Sequence, residues 1–162
     1  MDGVILAVQA GNLMLLAVWL GVAVRDNISR PELNRQLLAE VLALERLARD
    51  YPQIHAHYRH RAITGAEPVR RAFAFVVLAE LAVATLLLVA ALALAAAVLG
   101  AFGATPARAI ALAAAFSFTL IWAGFVIVGN HFVYWMCHEG AQATHYRLLV
   151  WGLASQILLI AG

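Results

Sequence analysis

The sequence contains a single cysteine, no lysine and few charges of either sign: Asp, Glu, Lys and Arg make up 12% of its 162 residues. One thiol, Cys137, excludes an internal disulfide. A charged fraction about half the usual ~25% excludes an ordinary soluble enzyme and a solvated, disordered tail. There is no phosphate-cradling glycine loop, no internal repeat and no low-complexity linker. No histidine falls in the middle of an apolar stretch, which argues against haem held between facing helices. What is present in excess is apolar side chain, at 64% of residues. That composition points to a polytopic membrane protein too small to carry a separate soluble domain.

Four stretches approach the ~20 apolar residues that cross a bilayer. They run over residues 3–24, 72–99, 109–129 and 146–162. The first and third carry no charge, the second only Glu80, and the fourth only Arg147 near its start. Backbone polar groups in lipid must be satisfied within the segment, so each stretch is expected to be helical. The start, Met1-Asp2-Gly3, lacks the basic region of a secretory signal, so the first stretch reads as a retained helix. A short 100–106 link makes spans two and three antiparallel neighbours. The alanine-rich run Ala91–Val98 offers a small-residue face for close helix approach.

The link between spans one and two is long and polar. Ser29 suits an N-cap, Pro31 the first helical turn and Glu32 the capping-box position. Apolar residues at 33, 37, 38, 41, 42, 44 and 47 recur on a helical face, predicting one amphipathic helix over about 30–50. Glu45 and Arg49 sit at i,i+4 and should pair. Such a helix lies flat in the interface or caps the mouth of the bundle. The expected fold is therefore a single all-α domain over residues 1–162. It is a four-helix transmembrane bundle with an amphipathic interfacial helix between spans one and two.

All eleven basic residues are Arg, and nine lie between Arg25 and Arg71 with six of the nine acids, a net +3. This reads as one mixed-charge, membrane-proximal segment and not as a nucleic-acid surface. Arg35, Arg46, Arg49, Arg70 and Arg71 are the expected contacts with anionic lipid heads or a partner protein. Counting Arg in the links puts both long links in the cytoplasm.

Several segments resemble a known family. Asp26-Asn27-Ile28-Ser29-Arg30…Asn34 resembles its Asn-Asn-Ile-Thr-Asp…Asn segment. Arg61-Ala62-Ile63-Thr64, with Glu80 at the matching distance, resembles its Arg-Ala-Ile-Thr…Glu segment. Gly124-Phe125-Val126-Ile127-Val128-Gly129-Asn130-His131-Phe132-Val133 is similar to its Gly-Phe-Met-x-Val-Gly-Gly-x-Trp-Phe segment, and Gln142…Tyr146-Arg147 to its Gly-Gln…Phe-Arg. The family is that of the bacterial "predicted small integral membrane proteins", four-helix proteins without an assigned function. The chain departs from it at Asn130, where the family has the second glycine, and at His131 and Phe132, where it has an acidic residue and Trp. The family usually places its basic residues at the N-terminus and between spans two and three, which implies the opposite orientation to the Arg count. The resemblance implies a bacterial inner-membrane location and brings no catalytic residue.

Two constellations carry chemistry. Glu80 is the one ionisable group well inside a span, about 12 Å deep if the helix enters near Ala72. Matching depths on the other helices predicts Thr119, Trp122, Ser155 and Gln156 as its neighbours. Gln9 and Asn12 form a second polar spot that should face the bundle. The six histidines all fall on one side of the membrane. His55, His57 and His60 end the first link; His131, His138 and His145 flank or fill the third, with Cys137. This set suits copper or zinc if the links meet, but its spacing is no established metal signature. An interfacial belt of amphipathic rings is the plainer reading.

No cofactor is expected and no catalytic residue is assigned. The leading functional expectation is a non-enzymatic accessory, assembly or stabilising subunit, with the lipid bilayer and a membrane protein or second copy as partners. Two alternatives stand beside it: a metal- or cofactor-binding redox accessory built on the His/Cys set, and a small proton- or ion-linked carrier centred on Glu80.

Overall fold

The computed structural model describes residues 2–161. Met1 and Gly162, the outermost residues of the expected domain and Gly162 the last of the expected fourth span, lie outside the described residues. Among the described residues the chain is helical without strands. The helices are α1 (Asp2–Ser29), α2 (Pro31–Leu42), α3 (Glu45–Asp50), α4 (Pro52–Tyr58), α5 (Ala66–Val98), α6 (Ala104–His131) and α7 (Glu139–Ile160). Two 3₁₀ turns, Arg59–Arg61 and Tyr134–Met136, complete the links.

The long helices α1, α5, α6 and α7 form the bundle, α1 against α5, α5 against α6 and α6 against α7. The first three are long and apolar enough to cross a membrane. The fourth, α7, starts seven residues before the expected 146–162 stretch and has 22 residues, about 33 Å at ~1.5 Å per residue, but it is not among the helices apolar enough to cross a membrane. Gln142, His145, Arg147, Ser155 and Gln156 leave it less apolar than the others.

The core follows the sequence pattern. Leu13, Leu16 and Leu20 of α1 meet Leu87, Ala90 and Leu94 of α5, all fully buried. On α6, Ala107, Ala111, Ala114 and Ala115 are buried alongside Phe118. Small residues let the helix backbones approach, which is how bundles without a hydrophobic driving force gain dispersion contacts. The α5–α6 turn closes at Gly100 (φ 73), whose N–H bonds Ala97 O while Ala101 N–H bonds Ala96 O. This is a Schellman end, and its left-handed residue is one that glycine adopts without a Cβ penalty.

The first link differs from the expectation in three respects. Ser29 is not an N-cap: α1 continues through it, and its Oγ donates to Arg25 O at 2.8 Å. The single helix expected over 30–50 breaks in two at Leu44, which takes a left-handed conformation (φ 57). Arg49 pairs with adjacent Asp50 and not with Glu45 (2.8 Å). The break has a visible compensation, since it delivers the Leu44 side chain into a second buried cluster with Leu42, Leu47, Val69, Phe132 and Val133. Val133, also left-handed (φ 55), sits in the same cluster. Both non-glycine residues in this costly region are held where burial offsets the strain.

That second cluster makes the link a cap. The apolar side of α2 packs on the first turns of α5 and on the α6–α7 connection. Ile63 N–H bonds Leu42 O at 2.8 Å, tying the end of α2 to the segment before α5.

Candidate functional site

The cap and the bundle meet at Glu80. Asn27, near the end of α1, donates from Nδ2 to Glu80 Oε2 at 2.9 Å. Asn34 of α2 donates in turn to Asn27 Oδ1. Three helices are thereby joined by one chain of hydrogen bonds, with Glu80 only 5% exposed and Asn27 buried. A buried carboxyl without such a donor would be costly; here the amide supplies one.

The position of Glu80 also changes. It stands eighteen residues before Val98, the end of α5, or about 27 Å at ~1.5 Å per residue. That is close to the full ~30 Å of a hydrocarbon core. Glu80 is level with Asn27, next to exposed Arg25 and Asp26. The carboxyl therefore belongs to the link-side edge of the bundle. The expected 12 Å depth counted from Ala72, but α5 starts at Ala66 and its first turns rise into the cap.

The neighbours expected for Glu80 bond elsewhere. Gln156 donates to Thr119 Oγ1 at 2.9 Å, and Thr119 donates to Ala115 O at 2.9 Å, joining α6 to α7. Ser155 accepts from Asn12 Nδ2 at 2.8 Å, and Trp151 Nε1 donates to Asn12 Oδ1 at 3.1 Å. Gln9, fully buried, donates to Leu158 O at 2.9 Å and accepts from Arg108 at 3.2 Å. These bonds close α7 back onto α1. Trp122 is 4% exposed within an aromatic group of Trp19, Phe118, Phe125 and His145, with centroids 5.5–5.7 Å away. Its indole N–H has no partner among the described residues.

The α6–α7 seam is close. A Cβ on Gly152 would overlap Thr119 Oγ1, and one on Gly129 would overlap the Tyr134 ring. Tyr134 Oη lies 3.1 Å from His145 Nδ1, and burial pushes the phenol up to about 12, so it keeps its proton. His145 therefore serves as a packed ring between Phe125 (4.7 Å) and Trp122.

The other histidines scatter. His55 and His57 lie on α4 and His60 in the following 3₁₀ turn. His131 lends its carbonyl to Arg61 at 3.0 Å. His138 Nε2 is 3.9 Å from Glu40 Oε1, and Arg46 pairs with that same carboxylate. Arg46 also donates to Cys137 O at 3.3 Å. Burial, with Arg46 nearby, holds His138 below its ordinary value; Glu40 opposes this. Burial, reinforced by Asp50, pushes the Cys137 thiol up. Among the described residues no group of three or more His, Cys, Asp or Glu is placed to hold a metal ion. The geometry brings His138 to Cys137 and Glu40, and His145 to Tyr134, and does not gather the six histidines.

Of the expected contact arginines, Arg46 is engaged within the cap, Arg49 pairs with Asp50, and Arg70 and Arg71 share Glu67. Arg35 is exposed on α2. The residues that reasoning from depth missed are Asn27 and Asn34. Their signal was present in the segment Asp26–Asn34 that resembles the family, and Glu80's in the one opened by Arg61–Thr64. At the other link Gln142 donates to Asn130 at 3.3 Å, a position at which the chain departs from the family.

No curated protein and no solved structure matches the chain. The sequence profile of one family, described as "Predicted small integral membrane protein (DUF2165)", matches residues 5–161. With apolar helices of spanning length and a match over nearly its whole length, the chain belongs to this family of small integral membrane proteins.

Proposed function

We propose that the protein is a non-enzymatic accessory or assembly subunit of a membrane complex, spanning the bilayer four times with α7 as the fourth crossing. The observation that carries this reading is where the polar groups go. Gln9, Asn12, Thr119, Ser155 and Gln156 bond to one another or to backbone carbonyls, and Glu80 is held by Asn27. Satisfied in this way, they fix helix register, a use well suited to buried polar groups in membranes. The bundle is then a rigid support, and the charged cap is the surface it presents.

In this reading the protein sits in a bacterial inner membrane with the cap in the cytoplasm. The support is the one-sided Arg distribution: Arg61 and Arg46 reach the α6–α7 connection, so both long links share an end. The amphipathic α2 stands at the membrane interface, with Leu33 and Leu37 exposed beside the polar face. The carrier and redox readings have less behind them, since Glu80 is tied at the bundle edge and the histidines are dispersed.

Purification in mild detergent from the native membrane tests this. Another membrane subunit should co-purify at a fixed ratio, and a charge-reversal on the cap, Arg35→Glu, should reduce its recovery. A protein that runs alone under every mild condition would sink the proposal.

A further inference from the structure

The helix α7 carries one guanidinium, Arg147, and its only acid is Glu139, eight residues or about 12 Å earlier. Its neighbour α6 contains no acid. Arg147 is exposed, and among the described residues no carboxylate pairs with it. The cap is different, since Arg46, Arg49, Arg70 and Arg71 each have a carboxylate.

The level of Arg147 follows from its neighbours. Gln142 meets Asn130 where α6 ends, and His145 stacks on Phe125 at 4.7 Å. Arg147 stands five residues past Gln142, about 7–8 Å into the bundle from its link-side end. From there a long basic side chain reaches back to the headgroup layer. Trp135 in the α6–α7 turn and Tyr146 beside Arg147 are both exposed, and such amphipathic rings mark the membrane–water interface. Tyr146, Val150, Leu153 and Ile157 recur at i, i+4, i+7 and i+11, so they share one face, and all are exposed. Arg147 flanks this stripe at its link-side end. The stripe is about 16 Å long, close to half of a ~30 Å hydrocarbon core and hence to one leaflet.

We propose that this face of α7 holds an anionic phospholipid, its phosphate on Arg147 and an acyl chain along Val150, Leu153 and Ile157. The guanidinium fork matches phosphate oxygens, and a net negative headgroup balances a charge that the protein leaves unbalanced. A zwitterionic headgroup brings its own cation and gains less. The inference rests on the reading of α7 as a crossing helix.

Native mass spectrometry of the full chain in detergent tests it, with equal amounts of phosphatidylglycerol and phosphatidylcholine of matched acyl chains. Arg147→Gln should lower the ratio of retained phosphatidylglycerol to phosphatidylcholine about fivefold, the ~1 kcal/mol of one Arg at an anionic surface. Arg59→Gln, at an exposed position in the cap, should leave the ratio unchanged. An unchanged ratio in Arg147→Gln overturns the proposal. So does an equal fall in Arg59→Gln, which would mean attraction to the overall charge and no site on α7. Val150→Cys on a Cys137→Ser background, exposed to a membrane-impermeant maleimide in open membrane fragments, separates the inference from the reading beneath it. A protected thiol with an unchanged lipid ratio leaves α7 in the bilayer and removes the lipid site. A readily labelled thiol overturns both.

Discussion

Asn27 Nδ2 lies 2.9 Å from Glu80 Oε2, and this one bond joins the end of α1 to α5 beneath the cap. Replacing Asn27 with Leu leaves the carboxyl without its donor, a loss of about 1–3 kcal/mol. Glu80→Gln keeps a carbonyl acceptor for the same amide and should cost about 1 kcal/mol or less. Thermal unfolding of both variants in one detergent gives the comparison. Equal losses would mean that the hydrogen bond is not what Glu80 contributes.

The α6–α7 seam predicts a steric effect. Gly152 faces Thr119 and Phe118 with no room for a Cβ. Gly152→Ala should destabilise the bundle by about 1–3 kcal/mol through overpacking, despite the better helix propensity of Ala. The double variant with Thr119→Ala, which removes the clashing hydroxyl, should recover part of the loss. Failure to recover any of it would place the strain elsewhere.

The cap should weaken in mild acid. His138 titrates below its ordinary value, mainly because it is buried and also because Arg46 is near. The unfolded chain therefore takes up this proton first as pH falls. The contribution of His138 is complete above its unfolded pKa of about 6.5, and it is lost as pH drops from there through the lower folded value. Hydrogen-exchange protection across α2 and α3, corrected for the slower intrinsic exchange in acid, should fall between neutral pH and pH ~5.5. His138→Gln should flatten that dependence; an unchanged slope would assign it to other groups.

Cys137 should be slow to alkylate. Its thiol is pushed up by burial and by Asp50, so little thiolate is present at neutral pH. Arg46→Ala removes both a nearby cation and the bond to Cys137 O. The cap loosened in this way should let labelling accelerate in that variant. Labelling as fast in the native protein as in denaturant would contradict the half-buried position.

The general architecture was readable from residues 3–24, 72–99 and 109–129, because an uncharged run in lipid has few structures open to it. Helix register was not. Counting depth from Ala72 assumed that α5 starts at the membrane edge, whereas Val69 packs on Leu42 and Leu44 within the cap. The shift moved Glu80 from Thr119 and Ser155 to Asn27. The break at Leu44 was equally hidden, since a leucine gives no local signal for a left-handed turn; burial in a cluster drawn from distant segments stabilises it. The segments Asp26–Asn34 and Arg61–Thr64 pointed to the right region through the family resemblance, without showing which side chains touch.

The central claim is that Glu80 latches helices together and conducts nothing. Proton flux into proteoliposomes, with wild type and Glu80→Gln side by side, tests it most directly. The account predicts that neither exceeds protein-free vesicles, while Glu80→Gln shows only its small loss of thermal stability. Flux in the wild type that Glu80→Gln abolishes would contradict it and make Glu80 a transport group.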